Sequence, residues 1–270
     1  MKRSLVLLLA VAALIVAMIA PAGAITDGEL DGDGHPHVAL MVAIDGEGDP
    51  LWRCSGTFLS PTVYVTAGHC VEPPAARAEI WLASDVEKDI PANDYPYVGD
   101  VSGVTHLHPE YNSPYPWFMR DVGVVVLDGD DTVNLPMYGE LPEVDQLDIL
   151  KTKRGKQDTT FTAVGYGLQM AFPDAASWKD VADRVRMVAY PKLIQINTPG
   201  FTGDFSLLLS NNPNTGGTCF GDSGGPNFLG DSNVVAGVTS FGMNPTCAGT
   251  GGVLRLDRSW INDWVADFLD

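Results

Sequence analysis

The chain has 270 residues, with 34 Asp and Glu against 16 Lys and Arg, a net charge of −18, and four cysteines. That excess of acid argues against nucleic acid and other polyanions as partners. The length allows one large all-β domain or two small lobes with real cores.

In chain order, Met1-Lys2-Arg3 comes first, then an apolar run over residues 5–20, then Pro21-Ala22-Gly23-Ala24. A charged, apolar and small-residue order is that of a secretory signal. It is expected to occupy residues 1–24 and to be cleaved before Ile25. The competing reading, a retained membrane anchor, is weakened by a run short for a bilayer span and by the small residues after it. The expected location is secreted, extracellular or periplasmic, with no membrane association after cleavage.

Short apolar or alternating runs follow at 38–44, 56–59, 62–67, 78–82, 121–127, 159–164 and 234–240, separated by Gly, Pro, Asn and Asp. Such spacing reads as all-β, in barrels or sandwiches. The acidic, Pro-rich stretch 128–148 is the expected join between two halves, about 25–142 and 143–270. Residues 175–188 read as either a helix or an irregular loop. Trp260, Ile261, Trp264, Val265, Phe268 and Leu269 recur at helical spacing behind Asp257 or Ser259 as a cap, which predicts a C-terminal helix.

Four cysteines in an exported chain suggest two disulfides, with three pairings open. A zinc site using His69 and Cys70 is the alternative, but no Cys-x-x-Cys spacing supports it. Clustered acids leave calcium open without a spaced ligand loop to hold it. No required cofactor and no metal are expected.

The segment Cys219-Phe220-Gly221-Asp222-Ser223-Gly224-Gly225-Pro226 sets one serine among glycines that let backbone and substrate approach closely. Alone it also fits the Gly-x-Ser-x-Gly elbow of α/β-hydrolases. That fold needs a histidine after the serine, and all five histidines, at 35, 37, 69, 106 and 108, precede Ser223. A serine nucleophile needs a base, and the base a carboxylate to orient it. His69 ends an apolar run beside Cys70, and Asp121 opens the run Val122-Gly123-Val124-Val125-Val126-Leu127, between His69 and Ser223 in sequence.

Thr66-Ala67-Gly68-His69-Cys70, Asp121-Val122-Gly123-Val124, Gly165-Tyr166-Gly167, Gly221-Asp222-Ser223-Gly224-Gly225-Pro226 and Ile25-Thr26-Asp27-Gly28 resemble, in order and approximate spacing, the trypsin-like serine proteases. The resemblance covers essentially everything after Ile25. It implies two six-stranded antiparallel β-barrels with the active site in the cleft between them. It further implies His69, Asp121 and Ser223 as the catalytic residues, and the N–H groups of Gly221 and Ser223 as an oxyanion hole. Disulfides Cys54–Cys70 and Cys219–Cys247 are implied too, as is an ion pair between the Ile25 amine and Asp222.

By the same comparison Gly217 lies at the base of the primary pocket, Gly242 and Gly252 on its walls, and Ser240, Phe241 and Gly242 pair with the substrate backbone. With no acid at that base, large apolar or aromatic side chains are expected before the scissile bond, unless Asp231 or another acid enters the pocket. The expected partners are peptide or protein substrates and protein inhibitors. A binding protein on the same scaffold and a broad-substrate esterase are the other classes compatible with these residues.

Overall fold

The computed structural model describes residues 25–113, 119–153, 158–169, 183–197 and 203–269. Strand β1 covers Glu29–Leu30, β2 Val38–Ile44, β3 Pro50–Phe58, β4 Val63–Thr66, β5 Arg77–Trp81, β6 Val101–Leu107 and β7 Gly123–Leu127. In the second half β8 covers Phe161–Gly165, β9 Met187–Ala189, β10 Leu193–Ile196, β11 Ser206–Asn211, β12 Pro226–Leu229, β13 Val235–Gly242 and β14 Gly249–Arg255. Among the described residues one α-helix, α1, covers Ser259–Ala266. Each expected run overlaps a strand. Of the undecided stretch 175–188, residues 175–182 lie outside the described residues, and Met187 and Val188 belong to β9.

Strands β2-β3-β4-β7-β6-β5 close into a six-stranded barrel. The second sheet differs from the expected six-stranded barrel: it has eight strands in the order β1-β9-β8-β12-β13-β14-β11-β10 and stays open. Two-residue β1 adds at one edge, and an isolated bridge from Thr160 to Lys192 is what joins the starts of β8 and β10. The result is a half-barrel.

Strand periodicity sorts the core. Along β2, Val38, Leu40, Val42 and Ile44 join a cluster that reaches Val164, Phe228, Val235 and Leu254 of the second sheet. The alternate residues Ala39, Met41 and Ala43 pack with Phe58, Tyr64 and Ile80. Burial on both faces of β2 thus packs the two halves together.

Helix α1 buries Ile261 and Val265. The His108 ring lies 4.9 Å from that of Trp264. The expected cap differs: Arg258 holds the N-cap position without a side-chain bond. Asp257 is wholly buried, accepting from Arg255 Nε and Nη2 at 2.8 and 2.7 Å and from the Leu147 N–H at 2.8 Å. A carboxylate so engaged is not available to the helix end. Among the described residues no helix is long and apolar enough to cross a membrane.

Candidate active site

His69 sits on the short turn Gly68–Cys70 that follows β4, and Asp121 sits just before β7, paired with β4. Adjacent strands therefore bring the two residues together from 52 positions apart. Asp121 is wholly buried. Its Oδ1 accepts the His69 backbone N–H at 2.8 Å, and its Oδ2 faces His69 Nδ1 at 2.9 Å. Ser240 Oγ donates to the same Oδ2 at 2.5 Å. Burial opposes the charged imidazole, but the Asp121 charge and hydrogen bond, helped by Glu72, outweigh it and raise the His69 pKa above its ordinary value.

Ser223 lies on the loop before β12, held against β3. Ser55 N–H donates to Ser223 O at 2.8 Å, Ser55 Oγ donates to Gly221 O at 2.9 Å, and Cys70 Sγ is 3.7 Å from Ser223 O. Gly221 has φ of 95° and Gly224 of 78°, a region that glycine alone adopts without strain. A β-carbon on Gly224 would fall 2.0 Å from Thr66 Oγ1. The Asp222, Gly224 and Gly225 N–H groups donate to Cys219 O, Thr239 O and Asp222 O. Those of Gly221 and Ser223 have no acceptor among the described residues.

Asp222 turns away from the cleft and is wholly buried, its carboxylate accepting N–H bonds from Gly167 and Cys219 at 2.8 Å each. Burial raises its pKa to about 7 against the pull of those bonds and of Arg53. Buried Ile25 precedes Thr26, whose carbonyl accepts the Gly217 N–H at 3.0 Å. Thr26 Oγ1 donates to Asn211 Oδ1 at 2.7 Å. Thr26 thus bridges to Gly217, in the stretch that leads into the serine loop.

A cleft of about 1030 Å³ brings together His69, Gly221, Ser223, Ser240, Phe241 and Gly242. Gly217 faces Asn211, whose Cγ would lie 2.4 Å from a β-carbon there, and a β-carbon on Gly252 would lie 2.3 Å from the Phe241 ring. Thr218 lines the cleft, with its Oγ1 3.0 Å from where Gly251 would carry a β-carbon. Leu168 and the disulfide Cys219–Cys247 add apolar surface, and Phe220 and Met243 are 40% and 45% exposed beside them. Glu72 is the carboxylate on the described lining, and it accepts from Tyr111 OH at 3.0 Å. Exposed Asp231 does not line the cleft.

Disulfides join Cys54 to Cys70 and Cys219 to Cys247. Cys54, His69 and Cys70 are close enough together to suggest a metal site, but the bonded sulfurs offer no thiolate.

The model of the trypsin family matches residues 31–265. The chain belongs to the trypsin family. Brachyurin of Leptuca pugilator is 26% identical over 216 residues, 78% of this chain and 83% of the relative. Serine protease 1 of Drosophila melanogaster is 26% identical over 258 residues, 91% and 85% of the two chains. The solved structure of HL collagenase superposes with a TM-score of 0.66 at 21% identity, covering 90% of this chain and 97% of that one, and shares its fold.

Membership makes the chain a trypsin-like serine endopeptidase. Several groups of the trypsin-family cleft carry no local sequence signal. Ser240 reaches Asp121 across 119 residues, and Thr26 reaches Asn211 across 185. Arg53, on β3, lines the cleft with no motif around it. Such contacts depend on how the two halves meet, which no periodicity encodes.

Proposed function

We propose that this chain is a secreted endopeptidase that works through an acyl-enzyme on Ser223 and prefers large apolar or aromatic side chains before the scissile bond. The observation that carries the reading is a wholly buried Asp121 paired with a partly exposed His69 that opens onto the same cleft as Ser223 and two unengaged N–H donors. Ser223 Oγ bonds to the peptide carbonyl carbon while His69 takes its proton. The carbonyl oxygen gathers charge between the Gly221 and Ser223 N–H groups, each worth about 3 kcal/mol by analogy with a removed oxyanion donor. His69 then gives the proton to the departing amine, the C–N bond breaks, and water hydrolyses the ester by the reverse route. Asp121 orients His69 and stabilises the imidazolium.

The primary pocket lies between residues 218–221 and 240–247. Its uncharged lining of Thr218, Leu168, Cys219 and Cys247 supports the apolar preference, since burying an aromatic side chain contributes about 2 kcal/mol. Residues 240–242 take the substrate backbone as an added strand.

The Ile25 amine, once freed, is the cation for Asp222. Two features support this. A carboxyl with a pKa raised to about 7 by burial gains most from a neighbouring positive charge. Ile25 also has φ of 60°, a strained value for a β-branched residue, and cleaving the preceding peptide bond removes that constraint. Export that cleaves before Ile25 would then deliver the active form directly.

The test is pre-steady-state hydrolysis of a chromogenic ester, followed by a panel of peptides with Phe, Leu, Ala, Lys or Glu before the scissile bond. A burst equal to the enzyme concentration, absent in Ser223→Ala, supports the acyl-enzyme. Fastest cleavage after Lys contradicts the assigned preference. N-terminal sequencing of active protein starting anywhere but Ile25 contradicts the activation route.

A further inference from the structure

A cation beside the oxyanion loop has no part in the chemistry above. Arg53 lines the cleft one residue before Cys54, whose bond to Cys70 fixes it beside His69. Its Nη2 and Nε lie 3.4 and 3.5 Å from the point where Gly221 would carry a β-carbon. Tyr95 and Arg184 line the cleft with it, the Arg184 Cζ 5.0 Å over the Tyr95 ring.

Each of the other described arginines, at 77, 120, 184, 186, 255 and 258, holds a carboxylate. Arg53 forms no ion pair among the described residues, although the chain has 34 acids to 16 bases. Asp222 attracts it only at a distance, and burial holds its pKa below the ordinary arginine value. Desolvating a cation without a counter-charge is costly. A ligand that brings a carboxylate removes that cost.

The direction in the cleft follows from the acylation of Ser223, on which this inference rests. The acyl part of the substrate occupies residues 240–242 and the pocket behind Thr218, and its carbonyl sits at Gly221. The wall formed by Trp52, Arg53 and Cys54 is left for the departing part. Successive side chains of an extended peptide face opposite ways, so one of the first two leaving-side residues faces this wall.

We infer that Arg53 binds a carboxylate on the leaving portion of the substrate, supplied by an acidic side chain within two residues of the scissile bond or by the peptide's own C-terminus.

The test uses quenched fluorescent peptides with one favoured acyl side and Glu, Gln or Lys at each of the two leaving-side positions. A second arm ends the peptide two residues after the bond as a free acid or an amide. Rates are normalised to titrated active sites. Wild-type protein is expected to favour Glu over Gln, or acid over amide, by about ten- to hundredfold in kcat/KM, as a charge-assisted hydrogen bond implies. The arm that responds identifies the source of the carboxylate. Arg53→Gln should bring the ratio to about one, and Arg53→Glu should favour Lys over Gln.

Ratios near one in both wild-type arms, or a preference that survives Arg53→Gln, overturn the inference. If the variants yield no titratable sites, the wild-type preference must fall as salt is added; one indifferent to salt overturns it. Wild-type protein that cleaves every peptide at equal rates defeats this inference alone. Protein that cleaves none defeats the acyl-enzyme reading beneath it.

Discussion

Ser240 Oγ donates to Asp121 Oδ2 at 2.5 Å, so a strand of the second sheet completes the shell of a carboxylate that belongs to the first barrel. The bond crosses the cleft floor and couples the orientation of His69 to the docking of the two halves. Ser240→Ala leaves a wholly buried carboxylate oxygen one donor short, which costs about 1–3 kcal/mol. The variant is expected to lose roughly tenfold in kcat/KM with a lower urea midpoint. An unchanged rate would show that the bond does not orient His69.

The His69 pKa sets the acid limb of activity. The base must be neutral to accept the Ser223 proton, and its pKa is raised above 6.5 chiefly by Asp121 against the effect of burial. The rate should therefore fall as pH drops, with a midpoint above 6.5. Glu72 adds to the attraction for the imidazolium, so Glu72→Gln should move this midpoint to lower pH while leaving the plateau rate similar. A kcat/KM profile for the two proteins checks it; a shift toward higher pH would contradict the electrostatics.

His37 is wholly buried beside Phe228, and both of its ring nitrogens lack a partner among the described residues. Burial, helped by His35 and Arg186 and opposed by Asp31, lowers its pKa to about 4. The unfolded chain takes up this proton near pH 6.5 and the folded chain only near 4. Stability is therefore lost as pH falls through that window, by about 2–3 kcal/mol at pH 4.5. His37→Phe should lose less stability than wild type between pH 7.5 and 4.5, read from urea midpoints. Equal losses would refute a neutral buried His37.

The sequence carried the chemistry further than the architecture. The segments around His69, Asp121 and Ser223 were legible because a nucleophile, its base and glycine-dependent turns leave local marks, as at Gly224 against Thr66. The apolar run at residues 38–44 and the helical spacing from Trp260 to Phe268 were legible because burial on two faces leaves a continuous apolar run and burial on one helix face leaves a period. Asp257 was misread as a cap because its partner Arg255 and the Leu147 N–H become neighbours only in the folded chain. The pairing of Gly252 with Phe241 comes from the register of β13 against β14, which leaves no local mark. Register and docking are set by the whole sheet, and single motifs do not report them.

The Cys219–Cys247 link closes 28 residues around the primary pocket, against 16 for Cys54–Cys70. In the chain-entropy picture each loop contributes about 3–4 kcal/mol. Replacing Cys219 and Cys247 together by alanine is expected to lower the unfolding midpoint and to raise KM more than it lowers kcat. A loss confined to kcat would place the effect on the serine loop instead.

Reaction with a serine-directed phosphonate, followed by mass mapping of the adduct, tests the central claim most directly. One adduct is expected at Ser223, formed in step with loss of peptide cleavage, with about 10⁴-fold slower turnover in Asp121→Asn, where the tautomer of His69 is wrong. A folded protein that forms no adduct, or that carries it on another serine while cleavage stops, would contradict the account.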